Sequence, residues 1–358
     1  MRVINAMFGR KKGAIEQSFI NYNKALADLG VEVVALTYQE TPLLKLLPEN
    51  ITVKAIANFG QWDPAVSWKL KKIIRDIDPD IIISHGNRAI GMIGKVGLDT
   101  PLISVLHNFN AKQINECENI IVTSEEVKKL IEKKNAADNV HKKLYLIPEM
   151  IYLNADKKPQ VRKMHNPPII GGLGRFVAKK GFNIFLRSLA ILRQRGVDFR
   201  AVLGGAGADF DKLKRLAVNL KIDDIVSFPG WVEDKEDFFE LIDIFCISSL
   251  HEPKSTKIFE GLLHSIPLVT TDNESAIGIL RPHVDALIVE AGDPGQMADA
   301  IEKLIKNPQF AEKLGREGFN TVISTYDSKL VGKQILEVLN EQLESVKDTE
   351  KTKSLAEV

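Results

Sequence analysis

Cysteine is scarce in this 358-residue chain: Cys117 and Cys246 are the only two, far apart and without metal-ligand spacing. The pair supplies neither a disulfide framework nor a cysteine-held metal site, so a reducing compartment and two buried, inert thiols are expected. Long apolar runs are missing too. No stretch approaches the roughly 20 residues that a membrane-spanning helix needs, and the opening MRVINAMFGRKKG has too short an apolar segment for a secretory leader. A cytoplasmic protein is expected, at most peripheral on the inner face of a membrane. A surplus of one charge is also lacking. Lys+Arg number 48 against 47 Asp+Glu, a net charge of +1, which disfavours nucleic acid as a partner. The balance is nonetheless uneven: through His165 there are 24 basic against 18 acidic residues, and beyond it 24 against 29. A basic half joined to an acidic half points to different partners for each.

The chain is too long for one small core and suits two domains. Short β-branched runs alternate with amphipathic helices. RVINAMF, VEVVALT, ITVKAIA, DIIISH, LISVLH, NIIVTS and KLYLIP read as strands of the first half, with a helix from about Ala14 to Leu29 closed by Gly30. PIIGGLG, FRAVLGG, IVSFPG, IFCISS, PLVTT and ALIVE read as strands of the second. The alternation predicts βαβ units: an α/β protein of two Rossmann-like, doubly wound parallel sheets facing across a cleft. A polar, Lys- and Pro-containing stretch, NADKKPQVRKMHNPP, divides the halves. The expected boundaries are 1–158, 159–325, a helix over 326–346 and a disordered polar tail over 347–358.

The chemistry-bearing residues cluster at strand ends of the second half. GGLGRFVAKKG places Gly174 in a turn, then Arg175 and Lys180 five residues apart, two cations that could neutralise a diphosphate leaving group. LGGAGADFDKL gives a second glycine turn around Gly205 whose backbone N–H groups could meet phosphate, with Asp209 placed to cap the next helix. It lacks the full dinucleotide fingerprint, since Phe210 stands where a third glycine would come. Glu252 follows a strand, and Glu260 lies near the start of a helix, where its carboxylate could accept from vicinal hydroxyls. Ser255 and Thr256 sit between them at that helix N-terminus. In the first half, Asp76, Asp78 and Asp80 precede a strand rather than leave one, and read as a polar turn. AVSWKLKKIIRDI sets Trp68, Leu70, Ile73 and Ile74 among Lys69, Lys71, Lys72 and Arg75, a pattern suited to anionic lipid head groups or to an ordinary surface helix.

In order, GRFVAKKG, GAGADFDKL, FPGWVEDKEDFFELIDIF, the Glu252–Glu260 stretch and VDALIVEAGDPGQMADAI resemble the donor-binding domain of retaining GT-B glycosyltransferases of family 4, including those of lipopolysaccharide-core type. KKGAIEQSFINYNKAL, PDIIISHG, PLISVLHNFN, VTSEEVKKLI and LYLIP resemble its N-terminal, acceptor-binding domain more loosely. The resemblance implies a GT-B architecture and a retaining hexosyl transfer from a nucleotide-diphosphate sugar to a glycan or glycolipid hydroxyl, with no metal or other cofactor. It implies that Arg175 and Lys180 bind the diphosphate, Glu252 stands beside the sugar and Glu260 holds the ribose. Main-chain atoms near Trp231 and Val232 would face the base, His107 would be the cleft histidine, and Gly13 would let backbone approach the donor. Lys254 and Ser255 replace the family's Phe-Gly. Glu274 and Ser275 replace a glycine pair, with Gly278 where a further Glu is usual; Glu149 and Met150 replace an Asn-Gly after LIP. The altered loops keep two alternatives open: a nucleotide-sugar binding paralogue without transferase activity, and a nucleotide-sugar epimerase of the same architecture.

Overall fold

The computed structural model describes every residue except 10–12, 58–63, 108–116, 139, 153–157, 253–255 and 357–358, and it describes no side chains at 14, 64–65 or 349–356. The chain folds as two compact units, Met1–Leu153 with Thr325–Val358, and Asn154–Ser324.

The first unit is built on β1 (Arg2–Met7), β2 (Glu32–Tyr38), β3 (Thr52–Ile56), β4 (Ile81–His85), β5 (Leu102–Leu106), β6 (Asn119–Val122) and β7 (Lys143–Leu146), in the spatial order β3-β2-β1-β4-β5-β6-β7. Every pairing is parallel. Parallel strands need crossovers that cover both sheet faces, so β4 is buried at all five positions. On one face α1 (Ala14–Asp28) presents Phe19, Tyr22 and Leu26 at helical spacing; α12 (Ser328–Ala356) adds Val331, Ile335, Val338 and Leu339. The opposite face is covered by α2 (Pro64–Ile77) and α3 (Gly86–Gly94) through Val66, Leu70, Ile74, Ala89 and Met92. The remaining helix α4 (Glu125–Asp138) packs beside β6 and β7. Asp78 adopts a left-handed φ of 51°, and Asp80 accepts the Arg2 backbone N–H at 2.6 Å, so the aspartate run is a pinned helix-to-strand turn.

The second unit carries β8 (Ile169–Leu173), β9 (Arg200–Gly204), β10 (Val226–Gly230), β11 (Ile244–Ile247), β12 (Leu268–Thr271) and β13 (Leu287–Val289), ordered β10-β9-β8-β11-β12-β13 and again parallel. Its connecting helices are α5 (Phe182–Gln194), α6 (Phe210–Asn219), α7 (Lys235–Leu241), α8 (Thr256–Leu263), α9 (Glu274–Ile279), α10 (Pro294–Lys306) and α11 (Pro308–Tyr326). The thirteen strands fall within the runs read from the sequence, save that β2 extends one residue further to Tyr38, because short β-branched runs bounded by turns have few other stable uses in a two-sided α/β layer.

One expectation needs correcting. The tail over 347–358 is not wholly irregular: α12 continues through Ala356, since nothing from 347 to 356 is glycine or proline and propagation from an anchored helix adds a hydrogen bond per residue. The apolar residues of α2 divide between the two readings: Leu70 and Ile74 are core and Ile73 packs against it, as in a surface helix, while Trp68 is 69% exposed. Among the described residues no helix is long and apolar enough to cross a membrane.

Candidate functional site

In each sheet the strand order reverses once, between β1 and β4 and between β8 and β11. Loops leaving the carboxyl ends of the two central strands diverge there, which opens a crevice suited to ligands.

In the second unit, Arg175 and Lys180 leave β8 and Glu252 leaves β11, so strands adjacent in the sheet carry residues 72 apart in sequence into contact. The two loops are stitched together. Leu250 N–H donates to Lys179 O at 2.9 Å, and Ser248 Oγ donates to Lys180 O at 3.0 Å. Gly181, with φ of 62°, starts α5 where a Cβ would collide with Ser248 O. The outcome is a contact ion pair between Lys180 and Glu252. Glu252 is 8% exposed and also accepts from Ser249 Oγ at 3.2 Å. Its own N–H donates to Glu274 Oε2 at 3.0 Å, and its carbonyl accepts from Ser275 N–H at 3.0 Å. Glu274 and Ser275, which replace glycines of the resembled family, thus brace Glu252 from α9. Burial, reinforced by Lys257, Lys179 and Arg175, pushes the Lys180 ammonium down to about 8; the touching Glu252 carboxylate favours the charged form and opposes that shift.

Lys257, one residue into α8, lines the same small cavity as Lys180, Glu252, Ser248 and Leu173, and its stem lies over Gly174. Glu260 stands one turn further along α8. Its Oε1 accepts from Lys235 Nζ at 2.6 Å, while its Oε2 is buried with no hydrogen-bond partner, 4.0 Å from Lys257 Nζ. Arg175 is exposed, and its charge reaches Lys180. Neither Lys235 nor Lys257 was singled out in the sequence. Lys257 carried a signal, three residues before Glu260 on one helix face; Lys235 carried none, being brought in by α7.

Three amides at the glycine loops are already engaged. Gly174 N–H is spent on Gly204 O, Gly205 N–H on Gly230 O and Phe176 N–H on Ala206 O, at 3.0, 2.7 and 2.8 Å. Gly205, with φ of 144°, allows the two loops to touch, because a Cβ there would overlap Gly174 O. Asp209 occupies the N-cap of α6 without a side-chain capping bond. Trp231 is 66% exposed after β10, while Val232 packs where a Gly204 side chain would go. Thr256 opens α8 and is exposed; Ser255 and Lys254 lie outside the described residues.

The first unit's reversal point is different in kind. Glu149 Oε1, His107 Nδ1, His107 Nε2 and His85 Nδ1 form a hydrogen-bonded chain with both links 3.0 Å. The His107 side chain is 1% exposed and Glu149 19%. His107 therefore has both ring nitrogens engaged inside its own unit, and Glu149 is the more accessible end. His85 is edge-packed on Phe19 and Tyr22; burial, aided by Glu149, drives the Tyr22 phenol far above its usual range. Gly13 caps α1 in extended geometry (φ −151°), with the Glu16 carboxylate filling the space beside it. A cavity of about 410 Å³ in the first unit is lined by Lys128, Glu132, His141, Lys142 and Leu144. Among the described residues no three His, Cys, Asp or Glu side chains gather as a metal site.

Two family models match adjoining parts of the chain: Glycosyltransferase Family 4 over residues 15–154 and Glycosyl transferases group 1 over residues 154–321. LpsD of Rhizobium meliloti (strain 1021), a lipopolysaccharide core biosynthesis glycosyltransferase, is 26% identical over 361 residues, covering 95% of this chain and 98% of LpsD. LpsE of the same organism, described in the same words, is 30% identical over 172 residues, covering 48% of this chain and about half, 49%, of LpsE. Among solved structures, Anabaena HepE in complex with UDP superposes with a TM-score of 0.77 at 17% identity, over 95% of this chain and 100% of that one. That likeness establishes the GT-B fold.

Proposed function

The chain belongs to the glycosyltransferases that join a family 4 domain to a group 1 domain, and from that premise we propose that it transfers a hexosyl group, with retention, from a nucleotide-diphosphate sugar to a hydroxyl of a glycan or glycolipid in lipopolysaccharide or related surface-polysaccharide assembly. The observation that carries the reading is the convergence of Lys180, Glu252, Lys257 and Glu260 at the β8/β11 reversal point. Lys180 and Arg175 neutralise the departing diphosphate, and Glu260 Oε2 accepts from a ribose hydroxyl. Glu252, braced by Ser249 and Glu274, stands by the sugar. A diphosphate oxygen can take the proton of the incoming acceptor hydroxyl as the glycosidic bond to the leaving group breaks. With lysine and arginine holding the charge, the reaction needs no metal. The acceptor is received by the first unit, and the protein sits peripherally on the inner face of a membrane, with Trp68 dipping among anionic head groups beside Lys72 and Arg75.

The test is incubation of purified protein with a panel of nucleotide-diphosphate sugars and a truncated lipopolysaccharide core. Acceptor-dependent release of nucleoside diphosphate, with anomeric configuration preserved, is expected. Isomerised donor without acceptor would identify an epimerase, and donor binding with no release on any acceptor would identify a binding paralogue. For the membrane contact, pelleting with phosphatidylglycerol vesicles is expected to be lost on replacing Trp68, Lys72 and Arg75; a wild type that stays in the supernatant ends that part of the reading.

A further inference from the structure

Resting on the nucleotide-sugar reading, we propose that Lys257 is a third cation for the donor's diphosphate, leaving Glu260 for phosphate when the nucleotide binds, and that Lys235 is the positioning residue that keeps Glu260 in place through the exchange.

The two E-x7-E carboxylates are unequally satisfied. Glu252 takes two bonds on Oε2, from Lys180 and from Ser249. Glu260 is held on one oxygen only, by Lys235 at 2.6 Å. Its second oxygen is buried without a hydrogen bond, and Lys257 Nζ at 4.0 Å is too distant to supply one. A buried carboxylate oxygen left without a donor costs free energy comparable to a lost charged hydrogen bond. A hydroxyl arriving with a ligand meets that need.

Lys257 has the complementary problem. Burial and the neighbouring Lys235 disfavour its charged form, Glu260 opposing them, and its charge in turn weighs on Lys180. Cations crowded in a half-buried cavity repel each other until an anion of matching charge arrives. One ligand class answers both demands: a diphosphate for Lys180 and Lys257, with a hydroxyl-bearing ring a few atoms away for Glu260 Oε2. Lys235 then explains why Glu260 does not follow Lys257 towards the phosphate. It comes from α7 rather than α8 and grips the oxygen that the ligand does not use.

Calorimetric titration of the full chain with UDP, GDP, ADP and inorganic pyrophosphate tests this. Lys257→Met is expected to weaken both pyrophosphate and the preferred nucleoside diphosphate about 10- to 100-fold, the worth of one charged hydrogen bond; Lys257→Arg should restore most of it. Lys235→Met should weaken the nucleoside diphosphate while leaving pyrophosphate unchanged, a split that a merely structural lysine would not produce. Should Lys257→Met fail to melt cooperatively, Lys257→Gln takes its place. Unaltered binding in the Lys257 variant, or parallel losses of both ligands in the Lys235 variant, overturns the inference and leaves the glycosyltransferase reading standing. A wild type that binds none of the four probes overturns both.

Discussion

The two sheets reverse their strand order in the same way, yet the groups gathered at the two reversal points have opposite character. Beside β8 and β11 the chain sets fixed charges against one another: Lys180 on Glu252, and Lys235 and Lys257 about Glu260. Beside β1 and β4 it sets a relay of two imidazoles behind one carboxylate, packed under aromatic rings. The first arrangement suits a permanently charged ligand and holds its place with internal ion pairs until that ligand arrives. The second suits a neutral, hydroxyl-bearing one, because histidine can donate or accept as the partner demands. On the proposed function, one topology would supply two sites, with the loop residues dividing the labour.

The sharpest way to break this contrast is at the ionic point. Lys180→Met and Glu252→Gln are each expected to lower turnover by about 100- to 1000-fold, the scale of losing a preorganised charge at a reacting centre. Each single change strands a buried partner charge, so the double variant should unfold in urea no earlier than either single one. Steady-state rates and urea midpoints check this; full activity in both variants would erase the ionic site.

Next in size is backbone fit. Gly205→Ala should destabilise the protein by about 3 kcal/mol, since loop contact leaves no room for a Cβ, whereas Gly30→Ala should cost about 1 kcal/mol from its left-handed φ alone. Gly30 has nothing within 4 Å of a built Cβ, and equal urea midpoints for the two variants would refute the close-approach argument.

At the neutral point smaller effects are expected. His107→Ala, and Glu149→Gln through it, should lower turnover about tenfold, the value of one hydrogen bond, with nucleoside diphosphate affinity unchanged. A fall in UDP affinity would merge the two sites rather than separate them. The smallest effect concerns pH. In the proposed role Lys180 meets phosphate as the ammonium, and burial lowers it to about 8, so the cation is expected below that pH and progressively lost above it. Nucleoside diphosphate affinity should therefore fall severalfold as pH rises through about 8. Lys180→Arg, charged throughout, should show no such step.

Much of this was legible from sequence. The strand runs, the ordered blocks around Arg175, Lys180, Glu252 and Glu260, and the polar reading of Asp76, Asp78 and Asp80 all follow from local patterns. The glycine turns could be read from sequence either as structural turns or as ligand loops. A G-x-G pattern does not reveal whether its amides face a ligand or a neighbouring loop, and Gly174 and Gly205 face a loop. Lys235 and Glu149 went unrecognised as partners of Glu260 and His107 because 25 and 42 residues separate each pair, too far for any periodicity to register.

Taken alone, the amino-acid order determined the two parallel α/β sheets and the family membership, because side-chain period, β-branching and short motifs act over a few residues. Only tertiary structure decided which carboxylate oxygen is left without a donor, which histidine nitrogens are engaged and which apolar side chains of α2 are core. Those outcomes depend on distances between elements far apart in the chain, and such distances exist only once the sheets have assembled.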